Sequence, residues 1–257
     1  MPVRTTNDFT KIKTPSEIAD MRVSGRILAG VLAAIRQYVQ PGVTQKDVSA
    51  LAARELKSLG GLPVFLNYQG YPDIICVSVN DAVVHGIPTN QAFKEGDVAG
   101  FDFGVSYNGM ITDSAFSMVV GSANDQAKSR LVRVTEEALS AGIKTLRDKV
   151  RVGDIGAAVS RVLDRHHYGI VRDLVGHGVG HRLHEDPDIP NYGMPGTGPI
   201  LRAGMTVAIE PMASLGDGAV MIDQDGWTVR TADGSVSAHF EHTVLITETG
   251  AEVLTTL

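Results

Sequence analysis

Cysteine is nearly absent: Cys76 is the only one in 257 residues. That excludes an internal disulfide framework and a cysteine-rich zinc site, and it suits a reducing compartment. No run approaches the roughly 18 uncharged apolar residues of a membrane span. The start, Met-Pro-Val-Arg-Thr-Thr-Asn-Asp, has no apolar core of a signal peptide, so the expected location is the cytoplasm. An excess of positive charge is missing too. The formal charge of −6 leaves no basic footprint for nucleic acid or a membrane surface. What is present, 43% hydrophobic and 20% charged residues, suffices for one large or two small globular domains. Any metal site must be built mainly from His, Asp and Glu.

The most informative stretch is Ala99–Phe116, in which Asp102 and Asp113 lie among apolar residues and Asn108-Gly109 divides two strand-like runs. Asn-Gly between such runs signals a two-residue hairpin. With Tyr107 and Met110 flanking the turn, Asp102 faces Ala115 and Asp113 faces Gly104. Alternation then puts all four on one sheet face, the carboxylates being diagonal neighbours roughly 7–8 Å apart. Two surface aspartates would account for an isolated pair. On a half-apolar face they repel unless a proton or cation lies between them, which makes the hairpin a candidate metal cradle.

Around the hairpin the chain alternates helices and strands. Thr14-Pro15-Ser16-Glu17 predicts a capped helix start. Apolar residues from Ile18 to Ile35 follow at helical spacing until Pro41-Gly42. A second helix is expected from Thr44 to Gly60-Gly61, then strand-like segments at Ile74–Val79 and Val83–Gly86. A long amphipathic helix is expected over about 125–146 and a short one after Asp154.

The second half echoes the first. Val39, Gly42, Val48 and Leu51 match Val150, Gly153, Val159 and Val162 at one offset. Lys94–Asp102 parallels Arg202–Glu210, and Asp113–Met118 resembles Glu241–Ile246, so the acids duplicate with the halves. The expected architecture is α/β (α+β): a single domain over 1–257 with pseudo-twofold related halves, roughly 15–121 and 125–250, around a shared sheet.

One more segment completes the candidate set: Gly176-His177-Gly-Val-Gly-His181-Arg-Leu-His184-Glu185. Its glycines let the backbone approach a site closely, and their spacing is not a dinucleotide fingerprint. With this segment the chain resembles the type I methionine aminopeptidases along nearly its whole length. The resemblance rests on Val77-Ser-Val-Asn-Asp-Ala-Val-Val-His-Gly-Ile-Pro88, Asp102 and Asp113, Gly176-His-Gly, Leu183-His-Glu185, Ala208-Ile-Glu-Pro211 and Phe240-Glu-His-Thr243.

The resemblance implies a pita-bread fold with a central antiparallel sheet, and two divalent ions held by Asp102, Asp113, His177, Glu210 and Glu241, with Asp113 and Glu241 bridging. The oxygen-rich set suits Mn, Fe(II) or Co more than a structural Zn cage, with Zn kept among the candidates. It further implies that Glu210 handles the nucleophile's proton, that His85 and His184 contact the scissile peptide, and that Tyr68, Tyr71, Cys76, Leu183 and Trp227 form a methionine pocket. The implied reaction is removal of the initiator methionine before a small second residue. Met1-Pro2 of this chain falls in that permitted class. The implied partners are nascent polypeptide N-termini met by a monomer, with transient ribosome contact.

Three positions depart from the usual pattern: Leu183 for Phe, Gly104 for Thr and His181 for Arg. The alternatives are an Xaa-Pro aminopeptidase-like enzyme, whose relatives usually carry a further N-terminal domain, and a non-catalytic peptide-binding protein on the same fold.

Overall fold

Thr14 and Thr44 set the two N-terminal helices. Each is an extended N-cap whose hydroxyl accepts the backbone N–H three residues on, while Glu17 or Asp47 reaches back to the cap's own N–H. In the computed structural model, which describes residues 12–257, they open α1 (Pro15–Tyr38) and α2 (Gln45–Leu59). Asp125 caps α3 (Gln126–Ile143), and α4 spans Val152–Arg165. The start of α4 lies ahead of the expected one. Asp154 is its third residue, accepting the N–H of Arg151 at 3.0 Å rather than preceding the helix.

The strands are β1 (Leu62–Pro63), β2 (Cys76–Val79), β3 (Ala82–Val84), β4 (Val98–Tyr107), β5 (Met110–Val119), β6 (Gly169–Ile170), β7 (Gly176–Gly178) and β8 (Glu185–Ile189). After them come β9 (Thr206–Ile209), β10 (Met212–Ser214), β11 (Val220–Ile222), β12 (Val229–Thr231), β13 (Ser237–His239), β14 (Glu241–Ile246) and β15 (Ala251–Val253). The main sheet runs β1-β4-β5-β14-β9-β7-β8, all antiparallel, with β2 beside β4 and β15 beside β14. Two small sheets, β13-β10-β6 and β11-β12-β3, stand beside it.

The hairpin forms in the expected register, with Asp102 opposite Ala115, Gly104 opposite Asp113 and Tyr107 opposite Met110. Its other face carries Phe101, Phe103 and Val105, all fully buried, and α1 packs on β4 and β5. Burying each Phe side chain contributes about 1.5–3 kcal/mol, so the hairpin's two faces are fixed by the helix beneath.

The same plan recurs in the second half. Isolated bridges join Thr44 to Ala92 and Arg151 to Ile200, in both cases from the cap of a helix to the segment leading into the acid-bearing strands. This pairing aligns buried Val48, Ala52 and Leu56 with buried Ile155, Val159 and Leu163. The sequence match of Val48 with Val159 is therefore one helical turn out of step. Apolar positions recur every three to four residues along a helix, so a one-turn shift preserves the pattern.

No helix among the described residues is long and apolar enough to cross a membrane. The Met1-Pro2 start lies outside the described residues.

Candidate metal centre and substrate pocket

Register alone brings the acids and His177 together. Asp102 and Asp113 share a face with Ala115, which pairs with Glu241 on β14. On the next strand His242 pairs with Ile209 and Thr243 with Ala208, so Glu210, directly after β9, lies beside Glu241. Ala208 in turn pairs with His177 on β7. Partners across a ladder and residues two apart along a strand share a face. Five strands from both halves thus present Asp102, Asp113, Glu241, Glu210 and His177 to one side.

They line a cavity of about 160 Å³. Ligand atoms of Asp113, His177 and Glu241 lie within 4.8 Å of one another, and His177 Nε2 is 3.4 Å from Glu210 Oε1. His177 Nδ1 lies 2.9 Å from the Gly178 carbonyl. With the ring proton assigned to Nδ1, Nε2 keeps its lone pair toward the carboxylates. Burial and the nearby His184 lower the His177 pKa to about 3, favouring that neutral form.

The carboxyls have no cationic side chain beside them: no Lys or Arg lines this cavity among the described residues. Burial, with the neighbouring charges of Asp113 and Glu210, holds Asp102 well above the usual carboxylate range, and Glu241 is raised for the same reasons. Burial and Asp113 raise Glu210, while Asp113 itself is pushed up to about 7 by burial. Asp102 Oδ1, Asp113 Oδ1 and Glu241 Oε1 are buried without a hydrogen-bond partner. Four carboxyls crowded in one cavity, three of them with an orphaned oxygen, are costly as a purely protein arrangement, and divalent cations would satisfy them. The donor set therefore fits metal.

The remaining predicted residues complete the cavity wall. His85, Tyr68, Tyr71, Cys76, Leu183, His184 and Trp227 all line it. Tyr71 is also braced, its hydroxyl donating to the carbonyls of Gly86 (2.9 Å) and Ile75 (3.2 Å), with its ring edge-on to Trp227 at 5.2 Å. Tyr68 Oη lies 2.8 Å from His184 Nδ1. Assigning the hydroxyl as donor places the His184 proton on Nε2. Burial depresses the pKa of His184, and that of His85 to about 4.

The three departures from the usual pattern have local explanations. A Cβ on Gly104 would stand 2.7 Å from the Phe65 ring, so glycine lets Phe65 into the wall. Leu183 is buried in the cluster of Phe65, Tyr71 and Cys76. His181 is turned away from the cavity, its Nε2 2.7 Å from Glu17 Oε1.

Sequence reasoning missed Phe65 and Gln69, which also line the cavity, and His239 behind it. His239 Nε2 is buried without a partner, 3.9 Å from Glu210 and 4.0 Å from Glu241. Its position two residues before Glu241 was the available signal, since strand alternation puts both on one face.

Residues 19–248 match the profile of Metallopeptidase family M24. The chain belongs to this family. Within M24 it is similar to "Methionine aminopeptidase 1" of Bacillus subtilis, 44% identical over 95% of this chain and 98% of that protein. "Methionine aminopeptidase" of Mycoplasma capricolum is also 44% identical, over 95% and 97%. The crystal structure of methionine aminopeptidase from Thermotoga maritima superposes with a TM-score of 0.95 at 48% identity, covering 97% of this chain and all of that one. Prolidase from Pyrococcus furiosus, at 23% identity and a TM-score of 0.77, shares the M24 pita-bread fold alone.

Proposed function

We propose that this M24 metallopeptidase removes the N-terminal methionine from peptides and proteins whose second residue is small. The observation that carries the reading is the joining of two features in one cavity: an acid-and-imidazole floor with orphaned oxygens, and an apolar wall of Tyr68, Tyr71, Cys76, Leu183 and Trp227. The methionine aminopeptidase relatives support it. Two divalent ions, drawn from Mn, Fe(II), Co and Zn, would be held by Asp102, Asp113, His177, Glu210 and Glu241. When bound, divalent ions in such a shell lower the pKa of a bound water and polarise a peptide carbonyl.

This chain's own residues do the rest. The apolar wall takes up the flexible thioether side chain, for which soft and aromatic surfaces are suited. Glu210 accepts the proton given up by the attacking water and passes it to the leaving amine. His184, with its proton on Nε2, donates toward the scissile carbonyl, where negative charge develops during attack. His85, directly after β3 in the same cavity wall, steadies the peptide. The cavity's small size forces the second residue against its rim, which favours Gly, Ala, Ser and Pro there over Lys or Phe. One catalytic unit built from both halves, acting as a cytoplasmic monomer on nascent chains with transient ribosome contact, is the setting this reading expects.

The test is a competition of Met-Ala-Ser, Leu-Ala-Ser, Met-Lys-Ser and acetyl-Met-Ala-Ser in one reaction, with protein-bound metal measured in parallel. Met-Ala-Ser is expected to be hydrolysed fastest, Leu-Ala-Ser slowly, and the other two left largely intact. Faster release from Met-Lys-Ser than from Met-Ala-Ser would overturn the substrate assignment.

A further inference from the structure

Lys13 is a charged side chain with no exposed surface of its own. Its Nζ sits 2.7 Å from Glu185 Oε2, and its backbone N–H donates to the carbonyl of Gly204 at 2.8 Å. The slot that admits it depends on Gly180: a Cβ there would stand 2.3 Å from Lys13 Cε. The other oxygen of Glu185 accepts the backbone N–H groups of His181 (2.6 Å) and Arg182 (3.1 Å). The Glu185 carboxylate thus closes residues 181–185 into a ring, and Lys13 locks that ring from outside. A second link runs parallel, from Glu17 at the start of α1 to His181 at 2.7 Å. The Gly180 carbonyl accepts the N–H of Ile111 at 2.7 Å, so the opposite edge of the loop is tied to β5.

Inside this clamped loop stand Leu183 of the pocket wall and His184. The His184 ring has one side-chain hydrogen bond, to Tyr68, and lies edge-on to His177 with centroids 4.4 Å apart. A lysine beyond hydrogen-bonding reach of the cavity would be unremarkable if exposed. Burying an ammonium completely to hold one carboxylate is costly unless fixing that carboxylate matters.

We infer that Lys13 is a positioning residue for the reaction: through Glu185 it fixes the 181–185 loop and with it the aim of His184 Nε2. The inference rests on the functional reading above. The site's chemistry thereby depends on a residue ahead of α1, remote from the pocket in sequence. Loss of the clamp is expected to leave the carboxylate floor in place, because among the described residues the Lys13 and Glu185 side chains form their hydrogen bonds and ion pairs with each other and with the 181–182 segment, not with Asp102, Asp113, His177, Glu210 or Glu241. It lets His184 wander by the few tenths of an ångström to which hydrogen-bond donation to a developing charge is sensitive.

The experiment is a double-mutant cycle in the full chain with Lys13→Met, His184→Ala and the pair, reading kcat and KM on Met-Ala-Ser together with bound metal. Lys13→Met is expected to lower kcat about tenfold, with metal content unchanged. In the His184→Ala background the same change should cost less than threefold, because the group it aims is gone. Glu185→Gln, which keeps an acceptor for the two N–H groups but turns an amide NH2 toward Lys13 and so breaks the clamp, should give the same pattern. It serves as the readout if Lys13→Met fails to fold. Equal losses in both backgrounds, or unchanged kcat in a folded Lys13 or Glu185 variant, would overturn the inference. Absence of methionine release by the unmodified protein with metal bound would instead remove the functional reading beneath it.

Discussion

In the first half of the chain, β4 and β5 are joined by Asn108-Gly109 alone, and the hairpin contributes two carboxylates and little else to the cavity. In the second half the corresponding strands, β9 and β14, are separated by residues 210–240, whereas residues 166–205 between α4 and β9 match residues 60–97 of the first half in place and nearly in length. Those two stretches of the second half carry His177, Leu183, His184 and Trp227. The skeletons match; the hairpin connections do not. Both copies place wall residues between the helix pair and the acid-bearing strands, Tyr68, Tyr71, Cys76 and His85 in the first and Leu183 and His184 in the second, and only the second opens its hairpin to bring in Trp227. Loops on a rigid scaffold are where binding groups usually reside.

The comparison breaks most severely at the seam, where β5 meets β14. If each half supplies one indispensable bridging acid, Asp113→Asn and Glu241→Gln should be equally damaging, each reducing turnover by at least about 10³-fold. Each should also erase the thermal stabilisation that added metal gives the unmodified protein, about 2.7 kcal/mol at a hundredfold excess over Kd. Turnover assays and melting curves with and without metal check both. A variant that kept metal and normal turnover would show that one half suffices.

A second, smaller effect separates floor from loops. His184→Ala lies in the stretch between α4 and β9 and should retain metal and fold while kcat falls by about 10²-fold. A raised KM at unchanged kcat would contradict its assignment to the reacting carbonyl.

The helix caps sharpen the comparison of skeletons. Thr44 caps α2 with its side chain, whereas Arg151 makes no side-chain cap and α4 relies on Asp154. Thr44→Ala should therefore cost about 1 kcal/mol in chemical denaturation. The equivalent Arg151→Ala should cost well under half of that.

The smallest expected effect is pH-dependent. The Thr14 backbone N–H, with help from His181, lowers the Glu17 pKa from 4.5 to about 2. A depressed carboxylate contributes stability above its unfolded pKa and loses it as pH falls through the folded value. The stability gap between the unmodified protein and Glu17→Gln should accordingly be full at pH 7 and shrink below about 4.5. The group is partly exposed, so solvent screening keeps the gap small. Urea midpoints across that range measure it.

How much of this was legible in the sequence depends on how local the cause is. The hairpin register follows from Asn108-Gly109, because a two-residue turn leaves only one way to align ten residues on each side. The starts of α1 and α2 follow from their capping boxes. The start of α4 was misplaced because Arg151 is a poor cap, so Asp154 looked like the first polar signal when it was already inside the helix. The helical part of the repeat was displaced by one turn, since periodicity cannot tell Val48–Ile155 from Val48–Val159. Lys13 was invisible: nothing local shows that a lysine near the start of the chain is engulfed, because the partner that buries it, Glu185, lies 172 residues away. His239 was not legible from Phe240-Glu-His-Thr, which begins one residue after it; only alternation about Glu241 places it beside the acids.

The seam between β5 and β14 has a further consequence. Its ladder pairs only Glu241 with Ala115 and His242 with Ser114. Beyond that, hydroxyls do the joining: Thr243 Oγ1 accepts the Asp113 N–H and donates to its carbonyl at 2.8 Å, and Ser114 and Ser117 donate to the carbonyls of Glu241 and His239. The covalent bridge between the halves is the exposed turn over residues 121–125. A chain cut at that turn would leave two fragments, each with its own helix pair and half of the acids. Neither would bind metal well alone, and mixing them would rebuild the centre across the hydroxyl seam, so metal uptake would act as a coincidence detector for their reunion.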